Sequence, residues 1–84
     1  MITIYGKDDC PWCDQAIGIL KGFNHKDYKY LKLHKDITLE EFQKKYPDVE
    51  YVPLIELDGE YLGGYKELCG YMIETYGGGL DNII

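Results

Sequence analysis

Apolar and polar residues recur along this chain with two different periods, and the switches between them mark out its elements. Ile2-Thr3-Ile4-Tyr5 alternates with period two and is rich in β-formers, which predicts a short first strand. Gly6 to Asp9 reads as a loop. From Cys10 or Pro11 to about Lys21 the period lengthens: Cys13, Ala16, Ile17 and Leu20 fall on one face of a helix, with Gly22 as its stop. Tyr28 to His34 reads as a second strand. Joined to the first through that helix, it makes a βαβ unit, and hence a parallel pair with a right-handed crossover.

Thr38-Leu39-Glu40-Glu41 has the spacing of a capping box, opening a short helix with Leu39, Phe42 and Tyr46 on one face and Pro47 at its end. Val52 to Leu57 reads as a third strand, Asp58-Gly59 as a tight turn, and Glu60-Tyr61-Leu62 as a fourth strand. After Gly63-Gly64 a last helix carries Tyr65, Leu68, Cys69, Met72, Ile73 and Tyr76 on one stripe, and Gly77-Gly78-Gly79 ends it. Residues 80–84 form a tail with no assigned element. The order is βαβαββα without repeat or linker, so one α/β domain is expected over residues 1–84.

Charge narrows the function classes. The net charge is −6, and all nine basic residues are lysine. Nucleic acid is a poor partner for such a chain, because phosphate neutralisation needs clustered cations. Without arginine there is no bidentate fork for a carboxylate, so an anion would have to use lysine, backbone N–H or a helix N-terminus. No apolar run approaches a membrane span. The Met-Ile-Thr-Ile-Tyr start has no basic segment or cleavage site, so the expected compartment is the cytosol.

The candidate chemistry lies at the first strand-to-helix junction, Cys10-Pro11-Trp12-Cys13. A thiol at a helix N-terminus faces unpaired N–H groups and the positive end of the helix dipole, a field that favours thiolate. Thiolate is the nucleophile of disulfide exchange. Cys13 stands one turn further on, within disulfide reach, and Pro11 occupies the first helical position, where a missing N–H costs nothing. The competing reading is half a zinc site. Zinc needs four ligands, no second such pair exists, and His25 and His34 are not spaced to complete one.

Three motifs, in order and at matching separations, make the chain resemble the glutaredoxins. They are Lys7-Asp8-Asp9-Cys10-Pro11-Trp12-Cys13, then Val52-Pro53, then Gly63-Gly64 before the last helix. The resemblance covers nearly the whole chain and implies a thioredoxin-like fold, a four-stranded mixed sheet flanked by three helices. It implies a dithiol oxidoreductase in which Cys10 attacks and Cys13 resolves, with glutathione as reductant and no metal. Pro53 would follow a cis bond, and the backbone of Val52 would pair with glutathione. Gly64, with Tyr65 and Lys66 at the start of the last helix, would receive its γ-glutamyl carboxylate. Lys7 would favour the Cys10 thiolate and attract a carboxylate, and Trp12 would wall the groove.

The resemblance further implies a cytoplasmic monomer acting on disulfide-containing or glutathionylated proteins, ribonucleotide reductase among them. Glu50 and Tyr51 depart from the family pattern before Val52-Pro53, and Gln43 or Lys44 is the candidate to supply a missing contact. Two alternatives share the residues: a glutaredoxin-like donor reduced by thioredoxin reductase, and a glutathione-ligated [2Fe–2S] carrier. Cys69 reads as a core residue. Tyr28, Tyr30, Tyr61, Tyr65 and Tyr76 read as packing the core or its edges with hydroxyls at solvent, and both histidines as surface residues.

Overall fold

The computed structural model describes residues 1–49 and 51–76. Its elements are β1 (Ile2–Gly6), α1 (Pro11–Gly22), β2 (Tyr28–Lys32), α2 (Leu39–Lys45), β3 (Leu54–Leu57), β4 (Glu60–Gly63) and α3 (Tyr65–Tyr76). The sheet order is β2-β1-β3-β4, with β1 parallel to β2 and antiparallel to β3, and β3 antiparallel to β4. This is the thioredoxin-like arrangement: a mixed four-stranded sheet with three helices. The expected stop at residues 77–79, the tail at 80–84 and Glu50 lie outside the described residues.

Alternation along β1 builds two cores. Ile2 and Ile4 face α1 and α3 and pack with Ala16, Leu20, Ile55, Leu68 and Met72, all essentially buried. Tyr5 points the other way and packs with Phe42 of α2 and Leu54. One strand thus serves both faces, because successive side chains of a strand point to opposite sides.

The second core encloses a charge. Glu56 of β3 is buried. The Tyr46 hydroxyl donates to its carboxylate, Lys45 Nζ stands 2.8 Å from it, and the same ammonium is 3.3 Å from the Tyr5 hydroxyl. Those bonds raise the Lys45 pKa, through Glu56 first and Tyr5 second. The Tyr46 pKa is also raised, by burial first and then by Glu56. This network pins the end of α2 to the sheet.

Several boundaries differ from the sequence reading. β2 ends at Lys32, not His34. The Lys32 N–H leaves the ladder to donate to the Asp36 carboxylate at 3.0 Å, and His34 takes a left-handed φ of 70° in the ensuing turn. β3 starts at Leu54, not Val52, since Pro53 has no N–H for the ladder. The apolar stripes are also narrower than the periodicity predicts. Leu39, Ile73 and Tyr76 are exposed, because α2 and α3 bury little beyond Phe42 and beyond Leu68 and Met72. Tyr61 is exposed, and Cys69 is half-buried rather than core. The Tyr30 hydroxyl is not at solvent: it is buried and has no hydrogen-bond partner among the described residues.

Candidate active site

Cys10 is the N-cap of α1, in extended conformation after a loop that ends on Asp9 at φ 56°. Its Sγ accepts a hydrogen bond from the Cys13 N–H at 3.2 Å, so the sulfur takes the place a capping oxygen usually holds. Cys10 and Cys13 are joined as a disulfide with their Cα atoms 5.2 Å apart. Cys10 keeps 7% of its surface exposed, whereas Cys13 keeps none. Of the two sulfurs, only that of Cys10 is open to an external group, with Cys13 sealed behind it. A capping sulfur that keeps a little surface at solvent, backed by one that keeps none, is an arrangement suited to disulfide exchange.

The loop before Cys10 is tied to the end of the neighbouring strand β2 and the turn that follows it. The Asp8 carboxylate accepts from Lys32 at 3.0 Å and stands 3.1 Å from Lys35. Hydrogen bonds to those two ammonium groups lower its pKa, and the bond to Asp8 raises that of Lys32. Asp8 belongs to the first motif, but nothing in the sequence assigns it a role. No local pattern pairs it with Lys32, which the parallel β1–β2 register brings alongside.

The Val52–Pro53 bond is cis, and the Val52 carbonyl oxygen lies 3.9 Å from Cys10 Sγ. An open groove of about 700 Å³ runs beside Cys10, lined among others by Lys7, Cys10, Gln43, Tyr51 and Val52. A smaller one of about 350 Å³ continues past Tyr51 and Pro53 to Gly63 and Gly64. Pro53 and Gly64 thus line the smaller groove, which shares Val49 and Tyr51 with the larger one, and Lys7 and Val52 line the larger. Gln43 lines it too, and Lys44 does not. Tyr51 is 79% exposed and borders both grooves. Trp12 and Tyr65 lie outside both linings and pack against each other with tilted rings, centroids 5.3 Å apart. Lys66 is exposed and also lies outside them.

At the start of α3 the Gly64 N–H donates to the Glu67 carboxylate at 2.7 Å. Gly63, at φ 145°, leaves room for that side chain, which a Cβ there would strike. The donor expected for a ligand carboxylate is thus occupied by the chain's own. Gly64 and Glu67 have the spacing of a cap and a back-reaching N3 carboxylate, the signal that could have found this contact.

The family model for glutaredoxin matches residues 2–62. The chain belongs to the glutaredoxin family. Glutaredoxin 1 of Escherichia coli K12 is 32% identical over 79 residues, covering 87% of this glutaredoxin and 93% of that protein. An uncharacterised monothiol glutaredoxin of Caenorhabditis elegans is 32% identical over 69 residues. That match takes in 79% of the chain but about half, 47%, of the longer relative. The solution structure of oxidised E. coli glutaredoxin superposes with a TM-score of 0.68 at 30% identity, over 90% of this chain and 96% of the other. The Cys10–Cys13 pair of this glutaredoxin fits a dithiol centre.

Proposed function

We propose that this glutaredoxin is a glutathione-dependent thiol–disulfide oxidoreductase that reduces protein disulfides and protein–glutathione mixed disulfides. The observation that carries the proposal is the Cys10 sulfur capping α1 at the mouth of a groove, with Cys13 buried behind it. The Cys10 thiolate attacks one sulfur of a protein disulfide, which releases a protein thiolate and leaves a mixed disulfide on Cys10. Cys13 then attacks Cys10 Sγ, releases the second protein thiolate and forms the Cys10–Cys13 disulfide. Two electrons have passed to the client. One glutathione thiolate attacks Cys10 Sγ and expels Cys13. A second removes the bound glutathione as glutathione disulfide.

Lys7, Gln43, Val52 and Gly64 are the proposed glutathione contacts along the groove, and the exposed Trp12, its half-buried neighbour Tyr65 and Lys66 would flank it. Such a cycle suits a reducing compartment such as the cytoplasm. Oxidised ribonucleotide reductase is a client to test.

One observation favours a second reading, reduction by thioredoxin reductase: the Gly64 N–H already holds the Glu67 carboxylate. NADPH consumption in parallel assays separates the two. Turnover with glutathione and glutathione reductase supports the first reading. Turnover only with thioredoxin reductase rejects the glutathione site and leaves the cysteine pair. Cys10→Ser is expected to abolish all exchange. Cys13→Ser is expected to abolish protein-disulfide reduction and spare deglutathionylation, so equal loss of both activities in Cys13→Ser contradicts the assigned roles.

A further inference from the structure

Tyr30 stands opposite Ile4 in the parallel β1–β2 register, so its side chain enters the core on the α1 side of the sheet. It ends above Gly6. A Cβ at Gly6 would lie 2.6 Å from Tyr30 Cε1, 2.8 Å from the Tyr30 hydroxyl oxygen and 3.1 Å from Cys13 Sγ. The hydroxyl and the buried sulfur therefore flank one small volume, kept open by the glycine. In the disulfide form they make no hydrogen bond, and the hydroxyl has no other partner among the described residues. An unpaired buried hydroxyl is unfavourable, and a buried thiolate without a donor is more so. Reduction creates the second beside the first.

We propose that the Tyr30 hydroxyl is the hydrogen-bond donor to the Cys13 thiolate, engaged in the reduced protein and idle in the oxidised one. The inference rests on the proposed role of Cys13 as the resolving cysteine. When glutathione or another thiolate attacks Cys10 Sγ, the S–S bond breaks and its electron pair leaves on Cys13 Sγ. That sulfur moves away from Cys10 toward Gly6 and meets the phenol O–H, and no proton is transferred. A stabilised thiolate is a better leaving group, so reduction of the disulfide is favoured. The donor stays protonated: burial raises the Tyr30 pKa and Asp14 and Asp8 act the same way, against Lys32, whose ammonium lies 5.5 Å from the ring centroid.

The test is the equilibrium of the full chain with oxidised and reduced dithiothreitol, the Cys10–Cys13 disulfide being counted by mass spectrometry after thiol trapping. Tyr30→Phe keeps the ring over Gly6 and removes only the hydroxyl. It relieves the oxidised form and deprives the reduced one, so both effects favour disulfide. A shift of about tenfold toward disulfide is expected, equal to about 30 mV for a two-electron couple. Tyr28→Phe, on the same strand face, is expected to shift it less than twofold. An unchanged equilibrium in Tyr30→Phe, a shift toward dithiol, or an equal shift in Tyr28→Phe overturns the proposal.

A second measurement follows the Cβ chemical shift of Cys13 against pH in Cys10→Ser protein. Adding Tyr30→Phe is expected to raise the Cys13 pKa, and no change counts against the donor. Neither experiment contains glutathione. Failure of the glutathione reading in the coupled assays therefore leaves the Tyr30 result intact, and the converse also holds.

Discussion

Gly6 shows how much one hydrogen-sized side chain decides here. It sits at the end of β1, directly before the active-site loop, and Tyr30 and Cys13 fill the space a Cβ would take. Gly6→Ala is therefore an overpacking change, expected to destabilise the protein by about 1–3 kcal/mol, as read from the midpoint of urea unfolding. Because the displaced atoms are the Tyr30 ring and the buried sulfur, the variant should also perturb the redox equilibrium. Gly18 and Gly70, with open space where a Cβ would go, are the controls expected to tolerate alanine. Among the cysteines, exposure and not spacing separates the roles: Cys10 is reachable, Cys13 is sealed, and Cys69 stands apart on α3.

The elements differ in what anchors them. α1 and α3 are held by a wide apolar contact through Ala16, Leu20, Leu68 and Met72. α2 is a short helix of seven residues with Phe42 as its one buried residue, so a polar tie carries a larger share of its attachment. That tie is the Tyr46 hydroxyl on the buried Glu56 carboxylate. Tyr46→Phe keeps the ring contacts and removes a bond to a charged group, a loss expected to be about 1.5–3 kcal/mol in chemical denaturation. Lys45→Met should cost less, since the Lys45 side chain is 48% exposed and solvent screens its pairing. The groove beside Cys10 is walled partly by α2 through Leu39, Phe42 and Gln43, so under the proposed function loosening α2 should also raise the KM for glutathionylated substrates.

For the whole molecule the charged ties set a pH window. Lys45 and Tyr46 have pKa values raised by folding, so their contribution is full below the ordinary values near pH 10 and is lost as pH rises through the folded ones. Asp8 is the reverse case. Its pKa is lowered, so its tie to Lys32 and Lys35 holds above the ordinary carboxylate range and is lost as pH falls through the folded value. Stability measured against pH is expected to be level through neutrality from these groups and to fall on the alkaline side from about pH 10. Tyr46→Phe should blunt the alkaline fall. An unaltered alkaline limb in that variant would remove Tyr46 from the account. The Asp8 tie is exposed at both ends, so added salt should weaken it and loosen the loop before Cys10.

The chain by itself determined the element order, the cap of α2, the redox pair at the N-terminus of α1 and the proline before β3. All of these are written in short-range patterns: period two or 3.6, the spacing of a cap, two residues between cysteines. Only the tertiary structure decided which apolar positions are buried, and it left Leu39, Ile73 and Tyr76 outside because the neighbouring layers do not extend over them. It alone buried Glu56 under Tyr46 and Lys45 and brought Tyr30 beside Cys13 across Gly6. Both join residues on different elements, and a polar residue's partner on another element leaves no mark in local periodicity. A residue such as Tyr30 reads as one more β-former until the fold shows what its hydroxyl faces.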